Sequence, residues 1–285
     1  MASRPTRAIA AIAVLALAGC GSTSSHEPAR EPALTPATAV PTRLPASTLP
    51  SVAAQAAAVG HYASVGLPLF CGGRHGKLVA LTFDDGPGPY THIALRELRK
   101  ADARATFFLV GKSVARYPQW PARERELAAI GDHTMTHAAL ASLSFAAAMA
   151  EVRDGRDAAL RAAGPPVDLF RPPLGSHTDA IDHAVGRDGM AEILWDVDSL
   201  DSRASPPADY RAISAEVRRN LRPGSIVLMH ENRGQTIRAL RAILPVLKRR
   251  GLRSVTVPEL LAADPPTKAQ LLAGRRGCGP ERGPS

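Results

Sequence analysis

Short apolar runs alternate with amphipathic, helix-like patterns from about residue 70 to residue 265. Repeated units of this kind predict a parallel sheet with helices on its outside. About seven units suggest a barrel, and an open doubly wound sheet is the competing arrangement. The predicted strands are 77–83, 105–110, 167–170, 193–197, 225–229 and 253–257, and the predicted helices are 90–101, 121–130, 144–163, 178–185, 208–221 and 236–250.

Polar residues collect where these predicted strands end, and this placement favours the barrel. The carboxyl ends of barrel strands converge on one mouth, where catalytic groups gather. The residues at or just after strand ends are Asp84, Asp85, Arg171, Asp198, Asp201 and His230.

The N-terminal segment has the layout of an export signal. Arg4 and Arg7 precede an uncharged apolar run that is too short to cross a bilayer. Residues 17–20, Leu-Ala-Gly-Cys, resemble the lipobox of bacterial lipoproteins, which implies cleavage of residues 1–19 and lipidation of Cys20. The alternative is ordinary cleavage after Ala18 and secretion. We expect an exported protein, anchored by lipid on the outer face of the bacterial cell membrane.

Composition divides the remaining chain. Residues 20–62 are rich in Pro, Ala, Ser and Thr, which predicts a disordered tether before a catalytic domain at 70–265. Residues 266–285 form a Gly-, Pro- and Arg-rich tail in which only Cys278 argues for order. In an oxidising compartment Cys71 and Cys278 can form a disulfide, and two unpaired thiols are the alternative.

The charge does not point to nucleic acid. The formal net charge is +9 and falls to +7 without the two arginines of residues 1–19, which suits an anionic envelope. Aromatic residues make up only 4% of the chain, and no basic helix is interleaved with them. We therefore expect no nucleic-acid partner.

Two motifs have the chemistry of a hydrolytic metal centre. Asp84 and Asp85 stand in Thr-Phe-Asp-Asp-Gly-Pro, and His133 and His137 are spaced so that both imidazoles can reach one ion from a helix face or a tight turn. One carboxylate and two imidazoles can bind a metal and leave positions open, while the second carboxylate stays free as a base. Adjacent strand residues face opposite ways, so the strand must break here, and the Gly and Pro of residues 86–89 provide the break.

With three further motifs, the chain resembles the polysaccharide deacetylases with a NodB-like domain, carbohydrate esterase family 4. The resemblance implies a distorted (β/α)7 barrel, with Asp84 as general base and Asp85, His133 and His137 as ligands of a divalent metal, usually Zn²⁺ and sometimes Co²⁺. In residues 170–175, Arg171 holds the base and Leu174 offers a backbone N–H to the oxyanion. In residues 198–202, Asp201 pairs with His230, the general acid of the motif at 228–230.

Three positions depart from the family pattern. Leu174 replaces a usual Tyr, Ser202 replaces a Trp, and Asp132 replaces an Asn before the first ligand histidine. A backbone donor survives a change of side chain, so the difference at Leu174 affects substrate preference more than chemistry. The missing indole at Ser202 removes an apolar wall near the acetyl pocket. The extra carboxylate of Asp132 can bond a ligand ring or raise the basicity of metal-bound water.

The resemblance implies a metal-dependent hydrolase that removes N-acetyl groups from an aminosugar polymer of the envelope, peptidoglycan or a chitin-like oligosaccharide, and releases acetate. One alternative is an O-acetyl esterase acting on acetylated xylan. The other is a catalytically lapsed lipoprotein that binds wall glycans, an idea that rests on Leu174 and Ser202.

Overall fold

A computed structural model describes residues 49–203 and 207–279. The predicted signal at 1–19, the lipidation site Cys20 and most of the predicted tether lie outside these residues. Within the described part of the chain, no helix has the length and apolar character needed to cross a membrane.

The centre of the fold is a parallel sheet of short, buried strands. Its order is β5-β4-β3-β2-β1-β7-β6, and β8 pairs with the first residues of β1, on the edge of β1 opposite β7. Among the described residues no ladder joins β5 to β6, so the barrel is open on that side. This partial barrel with outer helices confirms the distorted (β/α)7 fold. The strands are β1 Leu78–Gly86, β2 Ala105–Leu109, β3 Ala128–Asp132, β4 Leu169–Phe170, β5 Ala191–Glu192, β6 Val197–Asp198, β7 Ile226–His230 and β8 Arg253–Val255.

Helices cover the outside of the sheet, and all of those described except α10 bury residues on one face. The large cluster between sheet and helices includes Phe83, Phe107 and Leu240, all buried. Removing such side chains from water is the main stabilising contribution to the fold. The helices are α1 Val52–Val65, α2 Thr91–Lys100, α3 Gly111–Arg116, α4 Pro121–Arg125, α5 Phe145–Ala163, α6 Asp179–Arg187, α7 Tyr210–Asn220, α8 Gly234–Arg249, α9 Val257–Ala263 and α10 Lys268–Ala273.

Two predicted elements were wrong. The helix expected at 121–130 ends after one turn in α4, and the chain then forms β3 at the centre of the sheet. In place of the strand expected at 193–197, β5 ends just before this range and β6 begins at its last residue, Val197. Between them, the Asp196 carboxylate accepts the Ile226 N–H at 2.8 Å. A side-chain oxygen therefore replaces the backbone carbonyl that would accept this N–H from a regular neighbouring strand.

The predicted tether at 20–62 extended too far. Ser51 caps the N-terminus of α1 by accepting the Ala54 N–H, and Gly66 ends the helix with a left-handed φ of 64°. Val59 and Tyr62 are buried in a cluster with strand and α9 residues, so α1 belongs to the catalytic domain. Its alanine-rich sequence resembles a tether in composition, and the apolar face provides the tertiary packing.

The tail beyond residue 265 also has more structure than its composition predicts. Thr267 caps α10, and a short 3-10 turn follows over Gly274–Cys278. Cys278 is bonded to Cys71, which precedes β1. The disulfide therefore joins the C-terminal end of the described domain to the segment between α1 and β1.

Candidate active site

The end of β1 brings both carboxylates to one pocket. The pairing of β1 with β2 shifts register between Phe83 and Gly86, and Asp85 has a φ of 68°. This irregularity turns Asp85 so that its side chain faces the same histidines as that of Asp84. The strand continues to Gly86, so the break is a distortion within the strand and lies before the Gly-Pro pairs.

Asp84 forms a buried ion pair with Arg171. Nη1 of Arg171 lies 2.7 Å from Oδ1 of Asp84, and both side chains are almost fully buried. The other oxygen, Oδ2, lies 3.7 Å from Nε2 of His133. Arg171 therefore fixes one oxygen of the carboxylate and leaves the other facing the candidate metal ligands.

Arg171 is itself held from several sides, as a buried guanidinium must be. It donates to Oγ1 of Thr82 at 2.7 Å and to the carbonyls of Ile193 and Leu194 at 2.9 and 3.1 Å. Its guanidinium also stacks over the Phe108 ring, 4.1 Å from the centroid. Burial lowers the pKa of Arg171, and the adjacent Asp84 charge opposes that effect.

Asp85, His133 and His137 come together as the sequence motifs predict. Oδ1 of Asp85 lies 3.1 Å from Nε2 of His137 and 3.7 Å from Nε2 of His133. The histidines stand in an irregular turn, in which Thr134 and His137 both have positive φ, and not on a helix. The His133 ring donates from Nδ1 to the Arg171 carbonyl at 2.7 Å, which leaves a lone pair on Nε2 facing the carboxylates.

The donor set fits a divalent metal. The three ligand atoms lie within 4.8 Å of one another, and the buried Oδ1 of Asp85 has no hydrogen-bond partner. Burial lowers the pKa of His133, which favours the neutral ring that a metal ligand requires. Two imidazoles and a carboxylate are ligands that zinc and related ions prefer.

His230 faces this cluster from β7 and is held by Asp201. Oδ1 of Asp201 accepts from Nδ1 of His230 at 2.7 Å. Its Oδ2 accepts from the His230 N–H at 2.7 Å and from the Thr236 hydroxyl at 2.6 Å. Burial lowers the pKa of His230, but the hydrogen bond and charge of Asp201 outweigh it and raise the pKa to about 9.

The third motif forms a short 3-10 turn over Pro173–Gly175 at the rim. Leu174 has a φ of 60° and a side chain that is 75% exposed, so the position of the family Tyr is a solvent-facing apolar group. A Cβ on Gly175 would meet the Trp195 ring at 3.4 Å. Trp195, which the sequence motifs do not mark, thus packs against this turn, whereas Ser202 is exposed.

Two further polar residues support the site without a motif to reveal them. The Asn232 amide donates to Oδ2 of Asp85 at 3.2 Å, and Thr236 bonds Asp201 as described.

Asp132 does not bond either ligand ring through its Oδ1, because this oxygen accepts the Thr134 N–H at 2.9 Å. This carboxyl group therefore stabilises the turn between the two histidines. The hydrogen bond to a ligand ring that the sequence suggested is not formed. Asp198 similarly accepts the Leu200 N–H in a turn at the end of β6.

Fold and site together define a hydrolase of the parallel-barrel class, with paired carboxylates and histidines at the strand ends. The sequence profile of the family described as Polysaccharide deacetylase matches residues 72–193. A peptidoglycan-N-acetylglucosamine deacetylase of Bacillus cereus is 38% identical over 190 residues, which are 65% of this chain and 88% of that protein. A chitooligosaccharide deacetylase of Bradyrhizobium sp. is 35% identical over 202 residues, which are 65% of this chain and 90% of that protein.

Solved structures agree with the sequence comparisons. The crystal structure of a carbohydrate esterase family 4 pseudoenzyme from Bacillus anthracis superposes with a TM-score of 0.64 at 29% identity, over 69% of each chain. The chain belongs to the polysaccharide deacetylase family, carbohydrate esterase family 4. By sequence and fold it is a polysaccharide deacetylase, like the named deacetylases to which it is similar.

Proposed function

We propose that the chain removes N-acetyl groups from peptidoglycan or a chitin-like oligosaccharide of the cell envelope and releases acetate. The observation that supports this most strongly is the Arg171–Asp84 pair beside the Asp85, His133 and His137 cluster. Amide hydrolysis needs a base for water, a stabilised oxyanion and an acid for the leaving nitrogen. Each of these three requirements has a named group at the rim of this sheet.

Asp84 takes the proton of the attacking water. Arg171 keeps its carboxylate ionised and oriented through the 2.7 Å charge-assisted hydrogen bond, and Oδ2 stays available on the side of the histidines. Asp85, His133 and His137 would hold a divalent ion, for which we propose Zn²⁺. Bound there, such an ion supplies Lewis acidity toward the acetyl carbonyl and lowers the pKa of water.

His230 protonates the departing sugar nitrogen. Asp201 accepts from its Nδ1 and stabilises the imidazolium, so the proton to be donated sits on Nε2. Thr236 and the His230 backbone N–H fix Asp201 in return. We assign to the backbone N–H of Leu174 the role of oxyanion donor, and such a donor is typically worth about 3 kcal/mol.

The envelope location is part of the same proposal. The Cys71–Cys278 disulfide suits an oxidising compartment outside the cytoplasm. We propose that residues 1–19 direct export and that Cys20 receives lipid, with secretion as the alternative. Membrane fractionation of the full chain beside Cys20→Ala tests this: the anchor predicts that only the variant is released into the medium.

The substrate is tested by measuring acetate release from purified peptidoglycan, chitooligosaccharide and acetylated xylan side by side with the zinc-loaded protein. The proposal predicts release from an N-acetylated polymer and little from xylan. Preference for xylan would favour the O-acetyl esterase. No release from any polymer, together with retained glycan binding, would favour the lapsed enzyme, which the exposed Leu174 and Ser202 keep as the second candidate.

A further inference from the structure

A second group of imidazole and carboxylate side chains lies apart from the residues assigned above. His177 follows the third motif, Asp182 is in α6, and Glu192 ends β5. Nδ1 of His177 lies 2.9 Å from Oδ2 and 3.1 Å from Oδ1 of Asp182, and 3.7 Å from Oε1 of Glu192. The three ligand atoms lie within 4.8 Å of one another, a limit that the candidate active-site ligands also meet.

Glu192 makes this group more than a surface ion pair. Its side chain is only 3% exposed, and neither carboxylate oxygen has a hydrogen-bond partner. Asp182, its neighbour, is also buried. A buried, unpaired carboxylate is costly, and two of them together need more positive charge than one imidazolium provides. The missing charge is either a proton shared by the two carboxyls or a cation among the three side chains.

We propose that His177, Asp182 and Glu192 form a second divalent-cation site, of the Zn²⁺ class, separate from the site of Asp85, His133 and His137. One neutral imidazole and two carboxylates balance a double positive charge, and this donor set suits zinc and neighbouring transition ions. His177 is 29% exposed, which provides an entry path and room for water as a further ligand.

The location gives such an ion a structural consequence. Its three ligands come from three elements, so it would tie α6 and β5 to the segment that follows the third-motif turn. His177 is three residues beyond Leu174 in the chain. The second ion would therefore hold in place the turn that presents the Leu174 backbone, while the binding itself does not depend on the proposed function.

The test counts bound ions in a full-length chain whose first site is disabled. Asp85→Asn with His137→Gly is a suitable background, because Asn and Gly tolerate the positive φ at positions 85 and 137 and His137 is partly exposed. After dialysis against Zn²⁺, elemental analysis should find two equivalents in the wild type and one in the background. Adding Glu192→Gln should remove that remaining equivalent, whereas adding His61→Ala, at an exposed histidine of α1, should leave it.

Two results would overturn the inference. One is a background variant that binds no zinc; the other is an equivalent that survives both Glu192→Gln and Asp182→Asn. Either result would assign the missing charge to a shared proton. Thermal melting of each variant checks folding, and if Glu192→Gln fails to fold, the partly exposed His177→Ala provides the same measurement. Acetate release plays no part, so failure of the deacetylase proposal leaves this test intact.

Discussion

At the scale of single residues, the backbone at Asp85 decides what the site can do. Regular strand geometry would send Asp84 and Asp85 to opposite faces of the sheet. The positive φ of Asp85 and the shifted register place both beside His133. Arg171 then distinguishes them, because it bonds Asp84 and not Asp85, whose Oδ1 faces the two imidazoles.

This division of roles predicts that Asp84→Asn loses activity and keeps its metal. The amide cannot accept the proton of water, so we expect acetate release to fall about 100-fold or more. Elemental analysis should still find the first-site ion, since Asp85, His133 and His137 are unchanged. A variant with near-normal turnover would remove Asp84 from the role of base.

The pairing of Asp201 with His230 predicts how the deacetylation rate depends on pH. The general acid acts in its protonated form, so the rate should fall as pH rises through the pKa of His230, which Asp201 raises to about 9. A metal cation nearby would repel the positive imidazolium and lower the pKa of His230, so about 9 is the upper limit of this pKa. In Asp201→Asn the charge is lost, the pKa drops, and the alkaline fall in kcat/KM should move to lower pH. An unmoved alkaline limb would contradict the pairing.

At the scale of elements, close packing of α5 against the histidine turn explains a glycine inside a helix. A Cβ on Gly155 would come within 2.4 Å of Asp132 Oδ1 and of the Thr134 backbone. Gly60 in α1 is the matched case with nothing within 4 Å of its added Cβ. Both are interior helical glycines, so helix propensity favours alanine equally at both.

Gly155→Ala and Gly60→Ala should therefore shift stability in opposite directions. We expect Gly60→Ala to raise the free energy of unfolding by about 1 kcal/mol. Gly155→Ala should lower it by about 1–3 kcal/mol, because backbone and a buried carboxylate must move. Urea unfolding measures both. Equal gains would show that α5 does not press on the histidine turn.

Elements were predictable from sequence where their pattern was long and their packing simple. The helix expected at 144–163 is α5, and the strand at 105–110 is β2, within a residue or two. β3 was missed because no Gly or Pro separates its residues Ala128, Ala129 and Ile130 from the preceding amphipathic helical turn. Its place between β2 and β4 depends on long-range pairing, which local periodicity does not encode.

At the scale of the whole molecule, the C-terminal end of the domain is bonded to the segment just before β1. The disulfide links positions 207 residues apart, Cys71 before β1 and Cys278 after α10. From composition, α1 was predicted to lie partly in a tether and α10 in a tail. A local sequence does not reveal the surface of the domain against which a helix packs. The same limit applies to the site: the motifs marked its candidate metal ligands, while the placement of Asn232, Thr236 and Trp195 depends on the tertiary fold.

Closing so long a loop restricts the unfolded chain, so its loss should destabilise the protein. We expect Cys71→Ser with Cys278→Ser to lower the free energy of unfolding by about 2–5 kcal/mol. Reductant should lower the stability of the wild type by a similar amount and leave the double variant unchanged. Identical urea midpoints for wild type and variant would show that the bond does not stabilise the fold.

The central claim is that Asp85, His133 and His137 bind one catalytic divalent ion beside Asp84. Its most direct measurement is acetate release from an N-acetylated glycan by protein that has been stripped with chelator and then reloaded with Zn²⁺, with His137→Ala as the paired variant. We expect stripping to abolish acetate release, zinc to restore it in the wild type, and the variant to stay inactive. Release that persists without metal, or returns equally in His137→Ala, would contradict it.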